Sequence, residues 1–138
     1  SPILADDIEA ISAERYIMTH TTNPLITPET ISNGLKELDL NKDKDSLFTV
    51  NKIQTRFYRE NCSAVNHDPD NLIRTQDLEP WYEENSCLFY FTRDSFRKTN
   101  ARIGETPLMM VTPPLESLDI DEPHDWTMVA ALAEYNRK

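Results

Sequence analysis

Glycine and cysteine are scarce in this chain of 138 residues, which contains only Gly34, Gly104, Cys62 and Cys87 of these two types. A phosphate-binding loop of the usual kind needs closely spaced glycines that bring backbone N–H groups against phosphate, and two isolated glycines do not supply one. The cysteines show no C-x-x-C spacing and no matching histidines, so a zinc site or a disulfide framework has little support. The composition predicts reduced thiols and, if the chain acts on a nucleotide, an incomplete nucleotide site.

Basic side chains and long apolar runs are also few. The 24 acidic and 14 basic side chains give a net charge of -10, which disfavours binding to nucleic acid or to an anionic membrane surface. No apolar run approaches the length of a membrane span, and the first residues, SPILADDIEA, lack the features of a secretory signal. The sequence predicts a soluble, cytoplasmic protein, and its 38% hydrophobic content suits the modest core of one domain.

Apolar runs and turn signals alternate along the chain as they do in an α/β layer fold. Strands are predicted at 15–20, 46–50 with a continuation over 52–58, 86–92, 107–112 and, briefly, 117–121; helices are predicted at 28–38, 93–98 and from 122 onward, and a long loop at 59–84. His20 ends the first of these strands. We expect that strand to be central in the sheet, which makes His20 a candidate site residue because α/β proteins place ligands at strand ends.

An acidic segment near the C-terminus carries Asp119, Asp121 and Asp125. If the segment is extended, side chains two residues apart share a face, so the Cα atoms of Asp119 and Asp121 lie about 6–7 Å apart and both carboxylates reach one hard cation such as Mg²⁺. Alternatively, Asp121 caps the helix whose first turn contains Pro123, and Asp125 is favoured there by the helix dipole. Residue spacing leaves both interpretations open.

Four longer motifs follow one another in a recognisable order: THTTNPLITPETI (19–31), LIRTQDLEPWYEENSCLFYFTRDSF (72–96), RIGETPLMMV (102–111) and ESLDIDEPHDW (116–126). Together they resemble the later motifs of the acylneuraminate cytidylyltransferases, the CMP-sialic acid synthetases and their relatives, over nearly the whole chain. The resemblance implies a doubly wound, Rossmann-like α/β fold. It also implies transfer of CMP from CTP to an acidic 2-keto sugar, with release of pyrophosphate.

The resemblance implies a role for eight residues. Asp119 and Asp121 would be catalytic and would bind Mg²⁺; His20, Thr22 and Asn23 would lie beside the sugar; Arg74 would pair with its carboxylate; Gln76 and Asn85 would supply neutral hydrogen bonds. His20 stands where many members of the family have glutamine, which leaves the sugar open. Without the resemblance, a surface ion pair with Asp77 or Glu79 explains Arg74 equally well.

The family's N-terminal motif, a strand followed by a basic, glycine-containing phosphate loop, has no counterpart before residue 19. We therefore expect residues 1–138 to form the C-terminal portion of a single cytidylyltransferase domain that is inactive alone. The resemblance also implies a homodimer, with the 59–85 loop as an arm toward the neighbour. Two alternatives remain open: a noncatalytic α/β interaction module derived from this fold, and a nucleotidyltransferase for a different acidic sugar.

Overall fold

Four helices and four strands make up the chain, and the computed structural model describes all residues from Ser1 to Lys138. The helices are α1 (Pro2–Ala10), α2 (Pro28–Leu40), α3 (Arg93–Thr99) and α4 (Pro123–Asn136); the strands are β1 (Tyr16–Thr19), β2 (Ser46–Ile53), β3 (Trp81–Phe91) and β4 (Pro107–Val111). A single 3₁₀ turn spans Thr75–Asp77. None of the helices is both long enough and apolar enough to cross a bilayer.

The strands form one mixed sheet in the order β1-β3-β2-β4. β3 is antiparallel to β1 and to β2, while β2 and β4 are parallel. β1, β2 and β4 therefore all point the same way, and their carboxyl ends lie at one edge of the sheet. We call this the carboxyl edge. Beyond it, β2 and β3 continue as a two-stranded extension. From here on, the arm means residues 51–84, which comprise this extension and most of the predicted 59–85 loop.

The sheet is covered on both faces, and β3 contributes to each. Leu88 and Tyr90 pack with α2 on one face, while Phe89 and Phe91 pack with α1 and α3 on the other. This alternation follows from the two-residue period of a strand, and it explains why the apolar run in β3 is continuous. Gly34 of α2 is required by this packing, since a Cβ there would lie 2.6 Å from the Tyr90 ring.

The mixed α/β class predicted from the sequence is confirmed, as are the predicted helices and the strands at 15–20, 46–50, 86–92 and 107–112. The predicted continuation over 52–58 is wrong beyond Ile53, where β2 ends, and the last residues of the predicted 59–84 loop belong to β3, which begins at Trp81. Three other points differ. β1 lies at the edge of the sheet rather than in its centre, because only β3 pairs with it. Residues 117–121 form no strand, because no other strand lies beside them. Helix α1 was not predicted, although Ile8 on its inner face is almost fully buried.

Candidate functional site

Two loops meet at the carboxyl edge: the one that follows β1 and the one that follows β4. The backbone N–H of Ile120 donates to the carbonyl of Thr22 over 2.9 Å, and the N–H of Thr112 donates to the carbonyl of Val50 over 3.1 Å. The first bond joins the two loops, and the second continues the β2/β4 ladder by one residue. The edge is therefore a connected surface whose side chains hold defined relative positions.

Asn23 strengthens the connection between the two loops. Only 2% of this residue is exposed, and its Nδ2 donates to the carbonyl of Leu118 over 3.3 Å. Its Oδ1 atom is buried without a hydrogen-bond partner. Thr22, the neighbouring residue, has an exposed side chain that makes no hydrogen bond within the protein. Asn23 thus holds the loop in place, and Thr22 presents a free hydroxyl.

Asn85 uses all of its hydrogen-bonding capacity within the protein. Its Oδ1 accepts from Thr49 Oγ1 at 2.7 Å and from the Cys87 N–H at 3.2 Å. Its Nδ2 donates to Asn51 Oδ1 at 3.1 Å and to Thr112 Oγ1 at 2.7 Å. A carboxamide has two donor hydrogens and two main acceptor directions, so a ligand would have to displace one of these bonds. Asn85 is therefore placed to join β2, β3 and the segment after β4.

His20 is held through both ring nitrogens. Nδ1 lies 2.7 Å from the carbonyl of Ser86, and Nε2 lies 3.5 Å from Nη1 of Arg102. A carbonyl only accepts and a guanidinium only donates, so Nδ1 carries the proton and Nε2 accepts. Arg102 also lies over the Phe89 ring, with its guanidinium carbon 4.3 Å from the ring centroid, a cation–π contact. His20 thus joins Arg102 to the start of the buried part of β3.

Asp119 and Asp121 are both exposed, and neither carboxylate takes part in a hydrogen bond or an ion pair with another side chain. Asp119 lies near the buried thiol of Cys87. Burial, followed by the charges of Asp119 and Glu116, raises the pKa of Cys87 to about 11. The two aspartates therefore have no partner within the protein, while the thiol near Asp119 stays protonated.

The helix-cap alternative for Asp121 is wrong, because the N-cap of α4 is Glu122. Asp125 performs the related task from within the first turn: its Oδ2 accepts from the N–H groups of Glu122 at 2.8 Å and Asp121 at 3.1 Å. These two bonds hold the pKa of Asp125 below its ordinary value. Asp125 is thus engaged in the helix start, and the carboxylate of Asp121 is left free.

The carboxylates at the edge do not form a metal site built from several protein ligands. The structure contains no group of three or more His, Cys, Asp or Glu side chains that could hold a metal ion. Magnesium needs fewer: one or two carboxylates suffice, together with water and substrate phosphates. Asp119 and Asp121 are exposed carboxylates at this edge, and that they hold one Mg²⁺ stays a prediction.

Arg74 and Gln76 lie on the arm, and no hydrogen bond or ion pair joins them to the other predicted site residues. Arg74 forms two bonds to the carboxylate of Asp77, of 2.9 and 3.2 Å, and its side chain is 78% exposed. Gln76 is also exposed, and its carbonyl accepts from the side chain of Gln54 at 3.0 Å. Arg74 therefore forms a surface ion pair with Asp77, which is one of the two partners that the sequence suggested.

Several residues contribute to the carboxyl edge although no nearby sequence pattern predicts that they do. Glu116 accepts from the Thr27 N–H at 2.7 Å and from Thr30 Oγ1 at 3.0 Å, so that its carboxylate lies at the start of α2. Thr112 and Arg102 are recognised as part of this edge only from their contacts in the structure, with Asn85 and with His20. Each of these contacts joins residues that are far apart in the chain.

In comparisons with known proteins, no family model and no curated protein sequence matches this chain. Function must therefore be inferred from the side chains at the carboxyl edge and from the order of the motifs.

Proposed function

We propose that this chain supplies the metal and acid-sugar side of a magnesium-dependent cytidylyltransferase, which transfers CMP from CTP to an acidic 2-keto sugar and releases pyrophosphate. The observation that carries the proposal is that Asp119 and Asp121 have unpaired carboxylates on a segment whose backbone is fixed. Their carboxylates are free of protein partners, yet the segment between Leu118 and Ile120 is fixed to the loop after β1. A fixed backbone with free acidic groups is what a cation site beside a triphosphate requires.

In the proposed reaction the anomeric hydroxyl of the sugar attacks the α-phosphorus of CTP and loses its proton to solvent. The bond between the α-phosphorus and the oxygen that bridges it to the β-phosphorus breaks, and pyrophosphate leaves with that oxygen. Asp119 and Asp121 would hold Mg²⁺, which when bound neutralises phosphate charge as it develops in the transition state. The hydroxyl of Thr22 is available to the sugar. Asn85 and Asn23 act as positioning residues, since their own hydrogen bonds hold the loops that carry Asp119 and Thr22.

Arg74 would meet the substrate of a second copy of the chain. We propose a homodimer formed through the arm, where Phe57 and Trp81 stack with ring centroids 5.5 Å apart although both are more than a third exposed. Exposed aromatic pairs of this kind are common at protein interfaces. Sedimentation velocity should show a dimer that Trp81→Ala converts to monomer, while Trp126→Ala, at the other exposed tryptophan, leaves it intact; a monomeric wild type would contradict the proposal.

A noncatalytic interaction module is the second candidate, and the two glycines favour it. Gly34 faces the Tyr90 ring, and Gly104 lies against the carboxylate of Asp45 while its N–H donates to Ser46. Both glycines are needed for packing, so neither is available to cradle a phosphate. Under this alternative the carboxyl edge would bind a partner without turning over CTP.

The test measures pyrophosphate release from CTP and Mg²⁺ with a panel of eight- and nine-carbon 2-keto acid sugars. It uses the natural polypeptide that contains this chain and, separately, the 138-residue chain. We expect release from the natural polypeptide with at least one sugar, and at least about a hundredfold loss for Asp119→Asn and for Asp121→Asn. Asp43→Asn, at an exposed turn, is the control and should retain activity. No release with any sugar from folded, magnesium-supplied protein would favour the noncatalytic module.

A further inference from the structure

A groove of about 420 Å³ opens at the carboxyl edge between the end of β2 and the segment that follows β4. Its lining includes Lys52 and Ile53 from β2 and its end, Val111 and Thr112 from the end of β4, and Ser117, Leu118 and Asp119. The parallel pairing of β2 with β4 creates this arrangement, because it brings the carboxyl ends of both strands to the same place. The volume lies within the range of small-molecule sites.

Two opposite charges face this groove without pairing with each other. Lys52 is exposed and belongs to none of the ion pairs of the structure, and the same is true of Asp119. Arg97 and Glu9, by comparison, pair at 2.8 Å. The Lys52 ammonium and the Asp119 carboxylate thus line one groove, and neither is occupied by an ion pair.

The polar neighbours of this pair are already engaged, which limits the free groups to Lys52 and Asp119. Asn51 accepts from Asn85 and donates to Glu83 at 3.1 Å. Thr112 accepts from Asn85, and the hydroxyl of Ser117 donates to the carbonyl of Pro114 at 2.9 Å. The walls of the groove are therefore held by internal hydrogen bonds.

From this arrangement we infer that the groove is an oxyanion site, with Lys52 as the residue that binds the anion. The inference rests on the proposed function and adds a substrate-binding residue to it. A lysine ammonium binds oxyanions as a point charge, whereas Asp119 repels them unless a divalent cation lies between. The site would thus take a carboxylate or phosphate oxygen at Lys52, and Asp119 would help to hold Mg²⁺, which would supply positive charge for the same anion. In the proposed reaction that oxygen belongs to the sugar's carboxylate or to the phosphates of CTP.

The experiment follows backbone amide signals of the ¹⁵N-labelled chain by NMR during titration with pyruvate, a 2-keto carboxylate, and separately with inorganic pyrophosphate, with and without Mg²⁺. Ionic strength is kept constant because exposed charges respond to salt. We expect saturable shifts at Lys52, Ser117 and Asp119. Lys52→Gln should weaken binding about tenfold, Lys52→Arg should retain it, and Asp119→Asn should remove its dependence on Mg²⁺. Lys36→Gln, at an exposed position of α2, is the matched control.

Saturation by pyruvate alone assigns the groove to the sugar's carboxylate, and saturation by pyrophosphate alone assigns it to phosphate; either result supports the site. The inference is overturned if Lys52→Gln titrates like Lys36→Gln, or if neither anion produces localised shifts. If the anions bind as described but no pyrophosphate is released in the assay above, the proposed function is wrong and the oxyanion site is still supported. Conversely, if release occurs and Lys52→Gln leaves the KM of both substrates unchanged, the oxyanion site is wrong and the function stands.

Discussion

The side-chain amide of Asn85 donates to Thr112 Oγ1 over 2.7 Å, and this bond joins the inner strand β3 to the segment that leads from β4 to Asp119. The same side chain also bonds to Thr49 and Asn51 on β2. Because all four of its bonds are made within the protein, Asn85 fixes the relative positions of three chain segments. This carboxamide, together with Asn23 and the bond between Ile120 and Thr22, positions the candidate cation site.

Replacing Asn85 by alanine should therefore destabilise the fold. The substitution leaves hydroxyl and amide groups of Thr49, Asn51 and Thr112 without their partner, and we expect a loss of about 2–4 kcal/mol in the free energy of unfolding, measured in urea. Asn71→Ala, at an exposed position of the arm, should change it by less than about 0.5 kcal/mol. If the two variants lose the same stability, the network contributes nothing.

The neutral form of His20 should be the tautomer with the proton on Nδ1, because the carbonyl of Ser86 requires a donor and Arg102 requires an acceptor. Long-range ¹H–¹⁵N correlation spectra distinguish the two ring nitrogens directly. His124, whose side chain is 76% exposed and whose Nε2 lies 3.3 Å from Asp125 Oδ1, provides the contrast, since that contact favours a proton on Nε2. We also expect His20→Ala to cost about 1–3 kcal/mol of stability. A proton on Nε2 of neutral His20 would contradict the described contacts.

Only one of the two thiols should react rapidly with Ellman's reagent in the native protein. Cys62 is exposed, whereas Cys87 is fully buried and its pKa is raised to about 11. At pH 8 about one Cys87 in a thousand is then a thiolate, and the reagent attacks the thiolate. Cys62→Ser should remove the fast phase, and unfolding in guanidinium should expose the second thiol. Two fast equivalents in native protein would show that the core around Cys87 opens readily.

The strands could be predicted from the sequence because their signals are local. The run SCLFYF has the continuous apolar character of a strand that is buried on both faces, and Thr27 before Pro28 gives the start of α2. The order of the strands has no such local signal. The short run from Tyr16 to Thr19 is equally compatible with a central and an edge position, and its pairing with β3 is decided by residues more than sixty positions away.

The candidate site could be predicted only in part, for the same reason. Alternation of Leu118 and Ile120 with aspartates is typical of a strand, but the segment is fixed by Asn23 and Thr22, nearly a hundred residues earlier in the chain. Tertiary bonds to a loop thus replace the expected ladder. Asn85 was expected at the substrate, and whether it also contacts a ligand stays a prediction; its four internal bonds could not be foreseen from its neighbours in sequence.

Asp125 gives a prediction about pH that bears on the cation site, because its carboxylate holds the backbone N–H groups of Glu122 and Asp121. These bonds lower its pKa in the folded state below the ordinary value of 3.8. The stabilisation is therefore fully present above about pH 5, and it is lost as the pH falls through the lowered folded value. Asp125→Ala should unfold at lower urea concentration than wild type at pH 7, and the difference should shrink as the pH falls below 3.8.

Glu134→Ala, in the last turns of α4, is the control for this helix and should show no such convergence.

Asp125→Ala also links the helix start to the proposed chemistry. Losing the bond from the Asp121 N–H to Asp125 frees the backbone that carries one of the two proposed cation ligands. We expect Asp125→Ala to weaken Mg²⁺ binding several-fold at pH 7, as read from the amide shifts of Asp119 and Asp121, because supporting groups of this kind hold ligands in place. Unchanged Mg²⁺ affinity, together with the predicted loss of stability, would confine Asp125 to capping the helix.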